Sequence, residues 1–299
     1  MIHKTYTYDA DKRNVLIIGG TGTLGQALLR QLVPTNEYNI TILSREELKQ
    51  KKLRETYPGC KYVLADVRDY ESLLPHVYNK EVVFHLAAMK HVELAEENPE
   101  ESIKINLLGS LNVAKACIQS GVPYGVFSST DKAVLPVNVY GMCKGLSEAY
   151  FLHQNMEQNI TLFSVFRWGN VLGSRGSVIH SFLRSLKERK EVVLTDSRMS
   201  RFWIDIDEAA SFIIDNYEKA DGKEVLIPPM KAAKIVKIAE LCARFLGLKN
   251  YNIRYSGIRA GEKLHETLYT SHESCLRSDT CLEYGDEELL EMIGRASEL

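Results

Sequence analysis

The run Asn14-Val15-Leu16-Ile17-Ile18-Gly19-Gly20-Thr21-Gly22-Thr23-Leu24-Gly25 decides the fold. Val15 to Ile18 are apolar without alternation, as in a strand covered on both faces. The run passes straight into glycines, beyond which Ala27, Leu28, Leu29 and Leu32 recur at helical spacing. Strand, glycine turn and helix in that order are the context of a dinucleotide fingerprint. Gly19 and Gly22 let the backbone approach a pyrophosphate seated on the helix N-terminus, with Thr21, Thr23 and Leu24 in the same turn, and Gly25 lets helix and strand pack closely. The spacing is G-x-x-G-x-x-G rather than G-x-G-x-x-G, so a plain turn is the alternative.

Outward from this turn, strands and helices alternate. Asn39 to Leu43 reads as the second strand and ends in Ser44-Arg45. An acid usually stands at this point to hold the ribose hydroxyls of NAD, whereas an Arg and a hydroxyl suit the 2′-phosphate of NADP. The expectation is therefore NADP, with NAD the less favoured cofactor, since Glu46 and Glu47 follow closely. Asp66 and Val67, after a third strand at Tyr62 to Leu64, are placed to meet the adenine; a helix cap is the other reading of Asp66. The fourth strand, Val82 onward, ends in Leu86, Ala87 and Ala88, small enough to pass close to a cofactor, with Lys90 and His91 beyond as cofactor or substrate contacts. Pro99 to Ser120 reads as one long helix carrying Asn106. This rhythm predicts an α/β fold, a doubly wound parallel sheet.

The fifth strand, around Gly125 to Phe127, leads into Ser129-Thr130-Asp131-Lys132. Ligands sit at the carboxyl ends of strands in such sheets, so these polar residues face a pocket. Tyr140 and Lys144 then open a helix four residues apart, on one face. A phenol beside a cation and an oxidised nicotinamide loses its proton more easily than its reference pKa near ~10 suggests. Alone, the spacing reads equally well as a surface aromatic beside a solvated lysine.

Beyond a sixth strand, Leu162 to Phe166, the segment Asn170 to Val178 is rich in Gly, Ser and Arg and enters a helix. Asn170, Ser174, Arg175, Gly176, Ser177 and Val178 suit a diphosphate, and a solvated loop is the alternative. Arg259 to Glu266 reads as a second basic, Gly-containing turn entering a helix. Two such turns point to a polyanionic second ligand.

Composition excludes other classes. The 299 residues are 45% hydrophobic and 25% charged, with formal net charge -2, which argues for neither nucleic acid nor an anionic membrane as partner. The six cysteines show no metal-ligand spacing, so no metal site is expected. No signal peptide or membrane span is read, and a cytoplasmic protein is expected.

From Asn14 to Glu266 these residues resemble the extended short-chain dehydrogenase/reductases. Within them the resemblance is to the nucleotide-sugar dehydratases, most narrowly the inverting UDP-N-acetylglucosamine 4,6-dehydratases of the pseudaminic acid pathway. It is carried by the glycine turn, Ser44-Arg45, Lys90-His91-Val92, Ser129 to Ala133, Asn138 to Gly141, Gly169 to Val171, Gly173 to Ser177, Met199 with Arg201-Phe202-Trp203, and Gly261 to Lys263. The longer, membrane-anchored retaining relatives usually carry Met where Tyr140 stands, which favours the short inverting branch. The resemblance implies a Rossmann domain (1–170 with 204–228) and a smaller nucleotide-sugar domain (171–203 with 229–299). It also implies a tightly bound, recycled NADP, a homo-oligomer, and Thr195, Met199, Arg201, Arg259 and Glu262 among the substrate contacts.

The implied chemistry has Tyr140, helped by Lys144 and Thr130, oxidising C4 of the sugar. Lys132, its pKa lowered by burial beside the cationic nicotinamide and Lys144, takes the C5 proton, and Asp131 protonates the departing C6 hydroxyl. Hydride return at C6 gives UDP-2-acetamido-2,6-dideoxy-β-L-arabino-hexos-4-ulose. Three other readings stand beside this one: a C5-retaining dehydratase, a nucleotide-sugar C4 epimerase, and a non-catalytic NADP-sensing regulator.

Overall fold

A computed structural model of the chain describes residues 6–174, 177–270 and 275–298. The first part runs β1 (Arg13–Ile18), α1 (Thr23–Thr35), β2 (Tyr38–Ser44), α2 (Glu47–Thr56), β3 (Lys61–Leu64), α3 (Tyr70–Val77), β4 (Val82–His85), α4 (Val92–Glu97) and α5 (Pro99–Ser102). A π-helical segment, Ile103–Leu108, leads into α6 (Gly109–Gln119), followed by β5 (Tyr124–Ser128), a 3-10 turn at Asp131–Ala133, α7 (Val139–Glu157) and β6 (Leu162–Phe166). Next come β7 (Asn170–Leu172), α8 (Val178–Arg189), β8 (Glu191–Leu194), β9 (Ser200–Asp205), α9 (Ile206–Asn216), β10 (Val225–Leu226) and β11 (Lys231–Lys234). The chain ends with α10 (Ile235–Phe245), β12 (Asn252–Tyr255), β13 (Thr267–Thr270), β14 (Cys275–Arg277) and α11 (Asp286–Glu298).

Seven strands form one sheet in the order β10-β6-β5-β4-β1-β2-β3, all neighbours parallel. This is the doubly wound parallel sheet the sequence predicts. The period of two in β1 explains its unbroken apolar run: Val15 and Ile17 enter one core, under α1 and α9, while Leu16 and Ile18 enter the other, under α3, α6 and α7. Each such side chain removed from water contributes about 1.5–3 kcal/mol.

A third core gathers α8, α10 and α11 around Ile179, Leu186, Ile238 and Ile293, over the sheet β11-β9-β7. Strand β9 ties the cores together. Its Phe202 and Ile204 join the α1–α9 core while Trp203, between them, points into the third.

The helix expected over Pro99 to Ser120 is continuous, passing from α5 through the π segment into α6. One element differs from expectation. The Arg259–Glu266 turn enters strand β13 instead of a helix, because Thr267 and Tyr269 suit the hairpin that β13 makes with β14.

Candidate active site

At the carboxyl ends of β1, β2 and β4 opens a cleft of about 160 Å³. Gly19 lies at its centre with φ +82°, and a Cβ there would stand 2.8 Å from the Ala87 nitrogen. Only glycine leaves that approach open. The Gly22 N–H donates to the Gly19 carbonyl at 2.8 Å, closing the turn, and Thr23 opens α1 with Leu24 packed against the core and Gly25 buried. Thr21, Ser44, Arg45, Val67, Leu86, Ala87 and Ala88 line the cleft as expected. Lys49 lines it too, ion-paired to Glu46 at 2.5 Å. Its place one helical turn beyond Arg45 was the available sequence signal.

Asp66 is engaged by arginines. Arg68 donates to it through its backbone N–H at 2.9 Å and Nη2 at 2.7 Å, and Arg45 lies 3.6 Å away. Burial works to raise the carboxyl, but these partners hold it below the usual carboxylate range. Asp69, not Asp66, caps α3. Asn106 is wholly buried, and its amide is spent on the two backbone groups of Met89, at 2.8 and 3.0 Å, and on Ser102. It therefore braces the loop that carries Lys90 and His91, where the sequence suggests direct cofactor contact. Lys90 and His91 are exposed, and burial followed by Lys90 lowers the His91 imidazole.

At the end of β5, the Ser129 and Asp131 N–H groups donate to the carbonyls of Phe166 and Trp168 at 2.6 and 2.8 Å, carrying the strand pairing on into the site. Thr130 caps the next turn and donates to Asp131 Oδ1 at 3.0 Å. Asn138 caps α7 by accepting the Gly141 N–H at 2.7 Å, which sets Tyr140 and Lys144 in its first two turns. Lys144 Nζ donates to the Ser128 carbonyl at 2.7 Å and lies 4.2 Å from the Phe127 ring centroid. Burial presses its ammonium down to about 7, against the opposing pull of Glu148.

The sequence expectation of an easily ionised Tyr140 belongs to the site with an oxidised nicotinamide bound; in the protein alone the phenol stands higher. Burial pushes it up to about 12, outweighing Lys132 and a hydrogen bond with Thr130. Lys132, expected to be lowered beside the nicotinamide and Lys144, is likewise raised in the protein alone. Burial works to lower its pKa, but Asp131 Oδ1 at 3.0 Å and Glu266 Oε1 at 3.5 Å overcome it, so the ammonium is held above its ordinary range. Burial raises Asp131, which is wholly enclosed.

Glu266 is the main residue that sequence reasoning misses here. It belongs to the turn already singled out, but nothing local shows that the turn folds onto Asn138, Val134 and Lys132. Asn138 Nδ2 donates to the Gly261 carbonyl at 2.8 Å and Lys263 Nζ to the Val134 carbonyl at 2.6 Å.

The substrate candidates fall into separate groups. Asn170 lies in β7, and Ser174, Ser177 and Val178 lead into α8, with the Ser177 N–H on the Ser174 carbonyl at 2.9 Å. Arg175 and Gly176 lie outside the described residues. Thr195 meets buried Met199, Oγ1 to Sδ 3.2 Å. Arg201 is buried, its guanidinium donating to the carbonyls of Ser200, Leu264 and Lys263 at 2.7, 3.1 and 2.9 Å. It braces the second basic turn, where the resemblance implies a substrate contact. Arg259 is exposed and ion-paired with Glu93, and its N–H lies 3.4 Å from Glu262. No group of three or more His, Cys, Asp or Glu side chains among the described residues could hold a metal.

Residues 15–283 match the family of polysaccharide biosynthesis proteins. The chain belongs to that family. A "UDP-N-acetylglucosamine 4,6-dehydratase (inverting)" of Campylobacter jejuni is 42% identical over 272 residues, 89% of this chain and 80% of that one. A "UDP-glucose 4-epimerase" of Rickettsia canadensis is 35% identical, covering 95% and 84%. Among solved structures, Pen from Bacillus thuringiensis superposes with TM-score 0.90 at 32% identity, covering 97% of this family member and 99% of Pen. No helix among the described residues is long and apolar enough to cross a membrane.

Proposed function

We propose that the chain is a UDP-N-acetylglucosamine 4,6-dehydratase that inverts C5 and uses NADP. The observation that carries the reading is the Asp131–Lys132 pair, a carboxyl and an amine 3.0 Å apart, beside the hydrogen-bonded Tyr140 and Thr130, with Lys144 one turn along α7. Oxidation at C4 occupies Tyr140 and Lys144. Elimination across C5 and C6 needs a further base and a further acid, and this site holds both. The identity of 42% to the Campylobacter dehydratase supports the same reading. A C4 epimerase shares the first group and has no task for the second, and the presence of both Tyr140 and Lys144 argues against a non-catalytic sensor.

The Gly19 turn and the cleft beside it fit a nicotinamide dinucleotide, which supplies a hydride acceptor that returns the hydride to the same sugar. Arg45 and Lys49 face the 2′-phosphate in this reading. Residues 1–170 with 204–228 hold the cofactor, and 171–203 with 229–299 the nucleotide sugar. The C4 hydroxyl proton passes to Tyr140, whose high pKa in the protein alone means that the ligands' charge must favour the phenolate. The resting pair carries its shared proton on Lys132. Its transfer across 3.0 Å to Asp131 Oδ1 leaves a free amine to take the C5 proton and a carboxylic acid to protonate the leaving C6 hydroxyl. Burial of Asp131 favours that transfer.

Incubation with UDP-N-acetylglucosamine tests the proposal by mass spectrometry. A product lighter by one water, formed without net build-up of reduced cofactor, is expected. A product of unchanged mass would make the protein an epimerase.

A further inference from the structure

Glu266, at the entry to β13, has no part in the chemistry so far. Its carboxylate is 2% exposed and faces three cations, with Lys263 at 3.4 Å, Lys132 at 3.5 Å and Arg201 at 3.9 Å. Two of these are anchored elsewhere, Arg201 on three carbonyls and Lys263 on the Val134 carbonyl. Lys132 differs, because its ammonium is ion-paired to the carboxylates of Asp131 and Glu266. Asp131 Oδ2 and Glu266 Oε2 are both buried without a hydrogen-bond donor among the described residues. Glu266 is thus a buried carboxylate set against the ammonium of the proposed base.

We propose that Glu266 is a positioning residue whose charge sets the pH window in which the Asp131–Lys132 pair holds a single proton. The inference rests on the dehydratase reading of that pair. With two protons on the pair, Lys132 cannot accept one from C5. With none, Asp131 cannot protonate the C6 hydroxyl. The groups that face the pair are Tyr140 from α7, Arg201 from β9 and Glu266 from the turn before β13, with Lys263 of the same turn set against Glu266. Tyr140 is neutral at ordinary pH, and Arg201 and Lys263 are cationic. Glu266 alone among them brings a negative charge, which holds protons on both members.

Because the pair is coupled, its two proton losses belong to the pair as a whole. Glu266→Gln removes a negative charge and lowers both. Lys263→Met removes the cation that partly offsets Glu266 and raises both. An anchor that only holds the turn in place would change the rate and leave both proton losses where they were.

The test is the pH–rate profile of UDP-N-acetylglucosamine turnover by the full chain and by the two variants. It is paired with a nitrogen-15 NMR titration of the Lys132 ammonium in the resting protein, its signal assigned by its loss in Lys132→Met. We expect both limbs to move to lower pH by about one unit or more in Glu266→Gln and to higher pH in Lys263→Met, with the NMR titration following the same order. Limbs and titration unmoved in both variants, with only the rate changed, overturn the proposal. Where Glu266→Gln is not recovered folded, Lys263→Met decides. The NMR titration needs no turnover, so a protein that fails to dehydrate the sugar defeats the dehydratase reading separately from this one.

Discussion

A Cβ placed on Gly141 would stand 2.1 Å from the backbone oxygen of Lys132. Helix α7 therefore rests directly on the Asp131–Ala133 turn, and this contact is what brings Tyr140 to Thr130 and Lys132. Gly145, one turn along, repeats the approach, its absent Cβ 3.1 Å from the Ala133 carbonyl. Gly141→Ala must push the helix and turn apart. A misplacement of about 1 Å costs roughly 10²-fold in rate, so kcat is expected to fall by about that much while cofactor affinity, set at the distant Gly19 turn, stays near wild type. Wild-type kcat in Gly141→Ala would show that the close packing does not position the chemistry.

Arg45 stands at the rim of the cofactor cleft, 3.6 Å from Asp66. Arg45→Asp removes a cation from the expected 2′-phosphate site and adds a like charge beside Asp66. Losing one charge-assisted contact weakens NADP by about 10- to 100-fold, with NAD little affected. Calorimetric titration of both cofactors checks this, and equal losses for the two would contradict it.

Arg201 is enclosed, with its guanidinium on three main-chain carbonyls and near Glu266. Removing one partner from a buried charged pair costs about 3–5 kcal/mol. Arg201→Leu should therefore show its main effect in denaturant unfolding. A large rise in KM with unchanged stability would return Arg201 to the substrate.

Lys144 gives a pH dependence with a definite sign. Its folded pKa, about 7, lies below the ordinary 10.5, so between those values the unfolded chain binds more protons than the folded one. Stability gained from this group therefore rises with pH across that window, by at most about 1.4 kcal/mol per unit. In Lys144→Met that contribution is gone. The wild type should gain on the variant as pH increases from about 7 towards 10.5, measured by unfolding at several pH values. A constant difference would mean that Lys144 keeps its charge in the fold.

The fold was legible because its signals are local. The apolar run of β1, the glycines after it and the helical spacing behind them each act within a few residues, and both faces of β1 are buried as an unbroken apolar run requires. The Tyr140, Lys144, Thr130 and Asp131 group was legible for the same reason, since one strand end and one helix start carry it. What escaped depends on contacts distant in sequence. Glu266 meets Lys132 only because β13 brings its turn onto the end of β5, where it adds to the raising effect of the adjacent Asp131 on the Lys132 ammonium. The use of the Asn106 amide on Met89 likewise arises from tertiary packing that no local pattern announces.

The most direct test of the central claim is an NMR spectrum of the product formed from UDP-N-acetylglucosamine in D₂O. Elimination at Asp131–Lys132, return of the hydride to C6 and arrival of a solvent-derived proton on the C5 face opposite Lys132 predict a C6 methyl group, a C4 ketone, deuterium at C5 and the L-arabino configuration there. A product that keeps its C6 hydroxyl and its C5 hydrogen, with only C4 inverted, would contradict the account.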